Sequence, residues 1–128
     1  FNKNQNINFL GKCENMKEIY KKIDFVILPS WREGLSKSLL EAASMSLPII
    51  TTYVPGCKEI IKNNYSGIIV PVKNKDKLKK AIKTLIENPK LGKNYGKNAR
   101  NTVCKKFEVK KINKKIINIY DNFLNLHL

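Results

Sequence analysis

The chain has 128 residues, 42% of them hydrophobic, and 25 Lys+Arg against 10 Asp+Glu give it a formal net charge of +15. This length suits one domain with a working core, and aliphatic blocks between turn signals exclude a disordered polar tail. The apolar runs are far shorter than the roughly 18 residues of a membrane span. The polar opening, residues 1–6, contains no secretory h-region. Because the chain opens without Met, we expect a piece excised from a longer protein.

Cysteine and histidine are too sparse for common metal or triad chemistry. Cys13, Cys57 and Cys104 are an odd number without a C-x-x-C spacing, so neither a disulfide framework nor a thiolate zinc site is expected. His127 is the only histidine and lies next to the last residue. A single histidine near the end of the chain is too little for a Ser-His-Asp triad or a His-based metal site, and we expect no metal and no bound cofactor.

Positive charge is concentrated in residues 73–115, which hold fifteen Lys and one Arg against three acidic residues, so 16 − 3 = +13. Nucleic acid, an anionic membrane surface or a phosphate-bearing ligand could use such a field. Solvated helix faces are the alternative, because Lys, Asn and Ile are abundant throughout, as codon bias would produce.

The first half of the chain predicts alternating strands and helices. Ile7–Gly11 is a short apolar run that reads as a strand, and helical spacing follows over Met16–Ile23. The run Phe25–Pro29 predicts a strand covered on both faces, as in parallel sheets. The next predicted elements are a helix from Ser36 or Ser38 to about Met45, a strand over 48–52, a turn at Pro55-Gly56, a short helix over 58–62 and a strand over 68–71.

After Pro71 the pattern becomes helical. An apolar stripe predicts a helix over 75–87, Pro89 suits the first turn of a helix to about Lys106, and a further stripe runs from Val109 to the end. The order predicts an α/β domain with a mostly parallel sheet and a helical tail. The tyrosines on stripes or turns are assigned to packing: Tyr20, Tyr53, Tyr95 and Tyr120.

The loop Pro29–Lys37 is the candidate site, because ligands of open parallel sheets bind beyond the carboxyl ends of the strands. Its N–H groups at 36–38 begin a helix whose dipole favours an anion, and Gly34 lets the backbone approach a ligand closely. Glu33 ends the loop and Glu41 lies roughly one turn inside the helix. A carboxylate there could accept two hydrogen bonds from a vicinal diol such as a ribose.

Each of these residues also has an ordinary interpretation. Glu41 could be an exposed residue paired with Lys37 at i,i+4, and Glu33 could be helix-entry charge. Trp31 could be a partly buried loop aromatic. Spacing alone leaves these alternatives open, since two glutamates eight positions apart are common.

The stretch 29–43 as a whole closely resembles the E-x7-E region of family 4 retaining glycosyltransferases, GT-B enzymes that use nucleotide-sugar donors. The resemblance covers nearly the whole chain and continues in register through several segments: 9–11, 20–24, 47–51, 55–60, 66–71, 98–100 and 107–120. It implies a Rossmann-like parallel sheet with flanking helices, the C-terminal half of a GT-B enzyme. Residues 1–128 would be one partial domain, with the N-terminal acceptor domain and the first part of the C-terminal domain lying upstream.

The resemblance also implies roles for individual residues. Glu33 would be the catalytic glutamate, contacting the donor sugar near the reacting centre, and Glu41 would hold the ribose hydroxyls. The segment facing the sugar and diphosphate would be Gly34, Leu35, Ser36 and Lys37. The base pocket would be lined by Gly11, Lys12 and Cys13. The donor would be a UDP- or GDP-sugar, and the leaving diphosphate would help to deprotonate the acceptor, so that no histidine is required.

Three departures from the family pattern stand out. Ser46 replaces a usual glycine, where a left-handed conformation would cost roughly 1 kcal/mol. Ser36 replaces a frequent glycine or proline. The Arg/Lys pair that neutralises the diphosphate would lie before Phe1, so the chain alone is expected to be inactive.

The function expected from the resemblance is transfer of a sugar to a glycan or lipid-linked acceptor, in bacterial cell-envelope polysaccharide synthesis. The acceptor would bind the upstream domain, and the enzyme would be cytoplasmic, with peripheral attachment to the anionic inner face of the membrane left open. The alternatives are a basic module binding anionic lipid or nucleic acid and a GT-B relative such as a sugar-nucleotide epimerase. Nucleic acid is not expected, because no recognisable nucleic-acid motif is present.

Overall fold

A computed structural model of the chain describes residues 6–127, with side chains through residue 125. Strands and helices alternate up to residue 70, and helices follow. The elements are α1 Met16–Tyr20, β1 Val26–Leu28, α2 Lys37–Ser44, β2 Ile49–Thr52, α3 Pro55–Ile60, β3 Ile68–Val70, α4 Lys75–Glu87, α5 Pro89–Phe107 and α6 Val109–His127. The expected α/β order with a helical tail is confirmed.

The three strands form a parallel sheet in the order β1-β2-β3. Val26 lies opposite Ile49, and Ile50 lies opposite Ile68. The central strand β2 is buried along its whole length. Because all three strands are parallel, their carboxyl ends meet at one edge of the sheet, where the loop 29–36 begins.

The core lies on both faces of β2, because successive side chains of a strand point to opposite sides. Ile49 packs in one cluster with buried residues of α2, α3 and α5, and Ile50 packs in another with β3, α4 and α5. The helix α5 contributes to both clusters and lies against the end of α2. A Cβ at Gly96 would stand 1.9 Å from the carbonyl oxygen of Ser46, so only glycine permits this backbone contact.

The predicted first strand is wrong. Residues 7–11 form no strand, and Ile7, Phe9 and Leu10 are exposed by 56–77%. A short apolar run becomes a strand only where a neighbour supplies its backbone hydrogen bonds, and among residues 6–127 the sheet consists of β1, β2 and β3.

Other local predictions need smaller corrections. The helix α1 ends at Tyr20 instead of Ile23, and α3 begins at Pro55, because Pro fits the first helical position. The aromatic side chains of Tyr53 and Tyr120 are about two-thirds exposed, so assigning them to packing was wrong. Trp31 is 67% exposed, with the Lys73 ammonium 4.4 Å from its ring centroid, and is therefore not a partly buried loop aromatic.

The expected left-handed residue after α2 is confirmed, since Ser46 has a φ of 60°. None of the helices within residues 6–127 has both the length and the apolar character to cross a bilayer.

Replacing Ser46 with glycine is expected to stabilise the protein. Relief of the left-handed penalty outweighs the added flexibility of the unfolded chain, and we expect the free energy of unfolding to rise by about 0.5–1 kcal/mol. Chemical denaturation measures it. The matched control is Ser44→Gly in α2, which should lower the same quantity by a similar amount. A loss of stability in Ser46→Gly would contradict the prediction.

Candidate functional site

The candidate loop is anchored at its start by the neighbouring strand β2. The Thr51 hydroxyl donates to the carbonyl oxygen of Leu28 at 2.9 Å, and the Thr52 hydroxyl donates to the carbonyl oxygen of Ser30. Both threonines are buried, so water does not compete for these bonds. The chain therefore leaves β1 in a fixed direction.

The middle of the loop rests on the first turn of α3. The backbone N–H of Gly56 donates to the carbonyl oxygen of Glu33 at 3.3 Å. A Cβ at Gly56 would lie 1.6 Å from the carbonyl oxygen of Gly34, so no other residue permits this approach. By contrast, a Cβ at Gly34 would meet open space. The backbone at Gly34 is thus held from α3 and open on its other side.

Ser36 ends the loop as the N-cap of α2, which decides between the two capping serines considered from the sequence. Its buried side-chain oxygen accepts the backbone N–H of Leu39 at 3.4 Å and lies 3.1 Å from the Ser38 hydroxyl oxygen. This capping bond explains why Ser36 can occupy a position often held by glycine or proline. The first N–H groups of a helix have no carbonyl partner within it, and they carry partial positive charge.

Glu41 lies one turn along α2, and its two carboxylate oxygens have different neighbours. Oε2 is 3.3 Å from the hydroxyl of buried Tyr20, and Oε1 is 3.8 Å from the Nζ of Lys37. The Glu41 side chain is 37% exposed, whereas that of Lys37 is 90% exposed. The pairing with Lys37 is thus present, but the shorter contact is with Tyr20.

Burial raises the pKa of the Tyr20 phenol, and the charge of Glu41 and their hydrogen bond raise this pKa further. Tyr20 therefore keeps its proton at neutral pH and donates to the carboxylate.

Glu33 is half-buried and lies near the thiol of Cys57 in α3. Burial raises the pKa of this thiol, a hydrogen bond with Thr51 lowers it, and the negative charge of Glu33 raises it. The net direction is upward, so Cys57 is a neutral thiol in the core and is unsuited to act as a nucleophile.

Gly11, Lys12 and Cys13 lie in the turn before α1, apart in sequence from the loop and α2. Gly11 has a φ of 63°, which favours glycine, and the Cys13 thiol lies 3.6 Å from the carbonyl oxygen of Gly11. Gly11 and Lys12 are exposed and Cys13 is half-buried. Their part in a base pocket stays a prediction.

Sequence reasoning missed Tyr20, Thr52 and Gly56 as parts of this site. Tyr20 carried a usable signal, because the hydroxyl of a tyrosine at the buried end of an amphipathic helix needs a partner. Thr52 and Gly56 gave none, since their partners are backbone carbonyls far away in the sequence.

Apart from Lys73, the basic residues of 73–115 are spread over three helices, α4, α5 and the start of α6. Some of them form ion pairs with acidic residues: Lys83 with Glu87 at 3.6 Å, Lys106 with Glu59 at 3.2 Å and Lys111 with Glu108 at 3.3 Å. This arrangement favours solvated helix faces over a single binding patch.

A parallel sheet that feeds a polar loop onto a helix N-terminus defines the class of protein as Rossmann-like. The fold agrees with that of a glycosyltransferase from Rickettsia africae, with a TM-score of 0.87, 27% identity and coverage of 94% of this chain and 33% of that one. The structure of HepE from Anabaena in complex with UDP matches at a TM-score of 0.85 and 22% identity, covering 89% of this chain and 32% of HepE.

The sequence profile of the family Glycosyl transferases group 1 matches residues 1–102, and the chain belongs to this family. A curated relative is the N,N'-diacetylbacillosaminyl-diphospho-undecaprenol alpha-1,3-N-acetylgalactosaminyltransferase of Campylobacter jejuni, 30% identical over 118 residues. That match covers 92% of this chain and 31% of the relative. The chain thus spans about a third of the length of the curated relatives that it matches.

Replacing Gly56 with alanine is expected to displace the loop. The new Cβ would collide with the backbone of Gly34, and we expect the free energy of unfolding to fall by about 1–3 kcal/mol. Chemical denaturation measures it. Gly34→Ala is the matched control, because its Cβ meets open space and should change stability far less. Equal effects of the two substitutions would refute the contact.

Proposed function

We propose that this chain is the donor-binding part of a retaining glycosyltransferase of family 4. In this proposal Glu41 binds the ribose hydroxyls of the donor, and Glu33 contacts the donor sugar. The observation that carries the proposal is the placement of Glu41, one turn from the capped start of α2. One of its oxygens is held by buried Tyr20, and the other lies toward exposed Lys37. A carboxylate oriented in this way can accept hydrogen bonds from a vicinal diol.

The diphosphate of the donor would lie at the N-terminus of α2. Backbone N–H groups and the helix dipole favour an anion there, and the segment Gly34–Lys37 passes directly into this helix. Thr52 and Gly56 anchor the part of the loop that leads into this segment, at Ser30 and Glu33, so the N–H groups need little reorganisation when charge develops on the leaving group. The upstream Arg/Lys pair implied by the family would complete the neutralisation.

In the proposed reaction the acceptor oxygen attacks the anomeric carbon on the face from which the nucleoside diphosphate departs. The bond from the anomeric carbon to the diphosphate breaks, the new glycosidic bond forms, and the departing diphosphate oxygen takes the proton of the acceptor hydroxyl. Configuration is retained. Glu33 positions the sugar near the reacting bond, and no protein base is needed.

The acceptor class is proposed from the relatives. The Campylobacter jejuni relative is named for transfer onto an undecaprenol diphosphate-linked sugar, and a Staphylococcus aureus relative at 27% identity is named for capsular polysaccharide biosynthesis. These names favour a lipid-linked or glycan acceptor in envelope polysaccharide synthesis. The UDP complex of HepE makes UDP the first nucleotide to try, with GDP beside it.

Replacing Glu41 with alanine in the full-length enzyme should weaken UDP or GDP binding by about 10–100-fold, since a charged hydrogen-bond partner is lost. Isothermal titration calorimetry measures the change. The matched control is Glu87→Ala, which removes the same Lys-first i,i+4 ion pair from α4. Equal affinity in the wild-type protein and Glu41→Ala would remove Glu41 from the site.

Replacing Glu33 with glutamine should lower turnover more than nucleotide affinity, because its proposed partner is the sugar near the reacting bond. Steady-state kinetics of the full-length enzyme give kcat and the donor KM, with Glu87→Gln as the control. A raised donor KM with an unchanged kcat would show that the role assigned to Glu33 is wrong.

A further inference from the structure

Tyr20 connects the short helix α1 to the site through its hydroxyl. The side chain is 5% exposed, and its oxygen lies 3.3 Å from both the Glu41 carboxylate and the carbonyl oxygen of Ser38. The ring packs in the core cluster with residues of α2 and α3, which fixes its position. A hydroxyl has one proton, and the ionised carboxylate is the stronger acceptor of the two.

The two neighbours of Glu41 differ in how firmly they can hold it. The side chain of Lys37 is almost fully exposed, and its Nζ lies 3.8 Å from Oε1 of Glu41. An exposed ion pair of this kind is weak and is screened by salt. Tyr20 is fixed by packing and has only two rotatable side-chain bonds. The orientation of the Glu41 carboxylate is therefore set from the buried side, by Tyr20.

We propose that Tyr20 is a positioning residue, whose hydroxyl holds Oε2 of Glu41 so that Oε1 is presented to the ribose hydroxyls of the donor nucleotide. The inference rests on the ribose role proposed for Glu41 and extends it to a residue of a different helix. Without this bond the carboxylate would be free to rotate about its terminal side-chain bonds, and orienting it would cost binding energy.

The raised pKa of Tyr20 supports this assignment, because the phenol keeps its proton at neutral pH and can donate it to the Glu41 carboxylate. The short α1 helix supplies the rigidity. Lys21 and Lys22 close its end with backbone hydrogen bonds to Lys17 and Ile19, which fix the backbone beside Tyr20.

The test compares two probes on the full-length protein, UDP and its 2′,3′-dideoxy analogue, or the corresponding GDP pair if GDP binds more tightly. For each variant calorimetry gives the ratio of the two dissociation constants. Because both dissociation constants are measured on the same variant, any unfolded fraction of the protein affects them equally. The ratio is therefore insensitive to a partial loss of stability. Wild-type protein should prefer the nucleotide with ribose hydroxyls.

Tyr20→Phe should weaken binding of the hydroxylated nucleotide by about tenfold, the effect of a hydrogen bond to a charged group, and leave the dideoxy analogue unchanged. The ratio should then fall toward one. In the Glu41→Ala background, Tyr20→Phe should have no further effect on it, because the residue through which it acts is gone. The matched control is Tyr95→Phe, which removes a hydroxyl from a buried tyrosine of the other core cluster and should preserve the wild-type ratio.

The outcomes separate the two proposals. A wild-type ratio in Tyr20→Phe, with the ratio lost in Glu41→Ala, would overturn the role of Tyr20 and leave the ribose site intact. A wild-type ratio in Glu41→Ala would overturn both. Equal weakening of both probes by Tyr20→Phe would mean a purely structural tyrosine and would also overturn the inference.

Discussion

The contact of α3 with the loop after β1 is the constraint on which the site depends. At Gly56 two backbones approach so closely that a single methyl group would overlap a carbonyl oxygen. The first turn of α3 thereby contacts the carbonyl groups of Glu33 and Gly34 and fixes their position. The buried threonines of β2 hold the start of the loop by hydrogen bonds. The shape of the loop is therefore dictated by neighbouring elements, which gives an exposed segment a defined geometry.

Sequence periodicity was sufficient for the elements that bury a continuous face. The strand run before Pro29 and the apolar stripe of α4 were placed within a few residues, because burial on a sheet or helix leaves a regular pattern. It failed at residues 7–11, where the apolar run has the composition of a strand but no pairing neighbour in the described chain. Pairing is a property of two segments, and no single run encodes it.

The candidate site divides in the same way. The loop and its two candidate capping serines were visible in the sequence, because caps and glycines have local signatures, whereas the two glutamates were singled out by the resemblance to the glycosyltransferase motif. Tyr20 was assigned to packing, which is half of the answer: its ring is in the core, but its hydroxyl reaches Glu41. Contacts between side chains of different helices depend on how those helices pack, which a single sequence does not specify.

The strand β1 has a paired edge toward β2 and, within residues 6–127, no described strand on its other edge. An edge of this kind presents a row of backbone donors and acceptors that can template another chain. Ile27 is partly exposed, and β1 contains none of the charges, prolines or bulges with which edge strands commonly discourage self-association. The shortness of β1, which has three residues, is thus the feature that limits pairing of this edge with another chain, and Ile27→Lys would limit such pairing further.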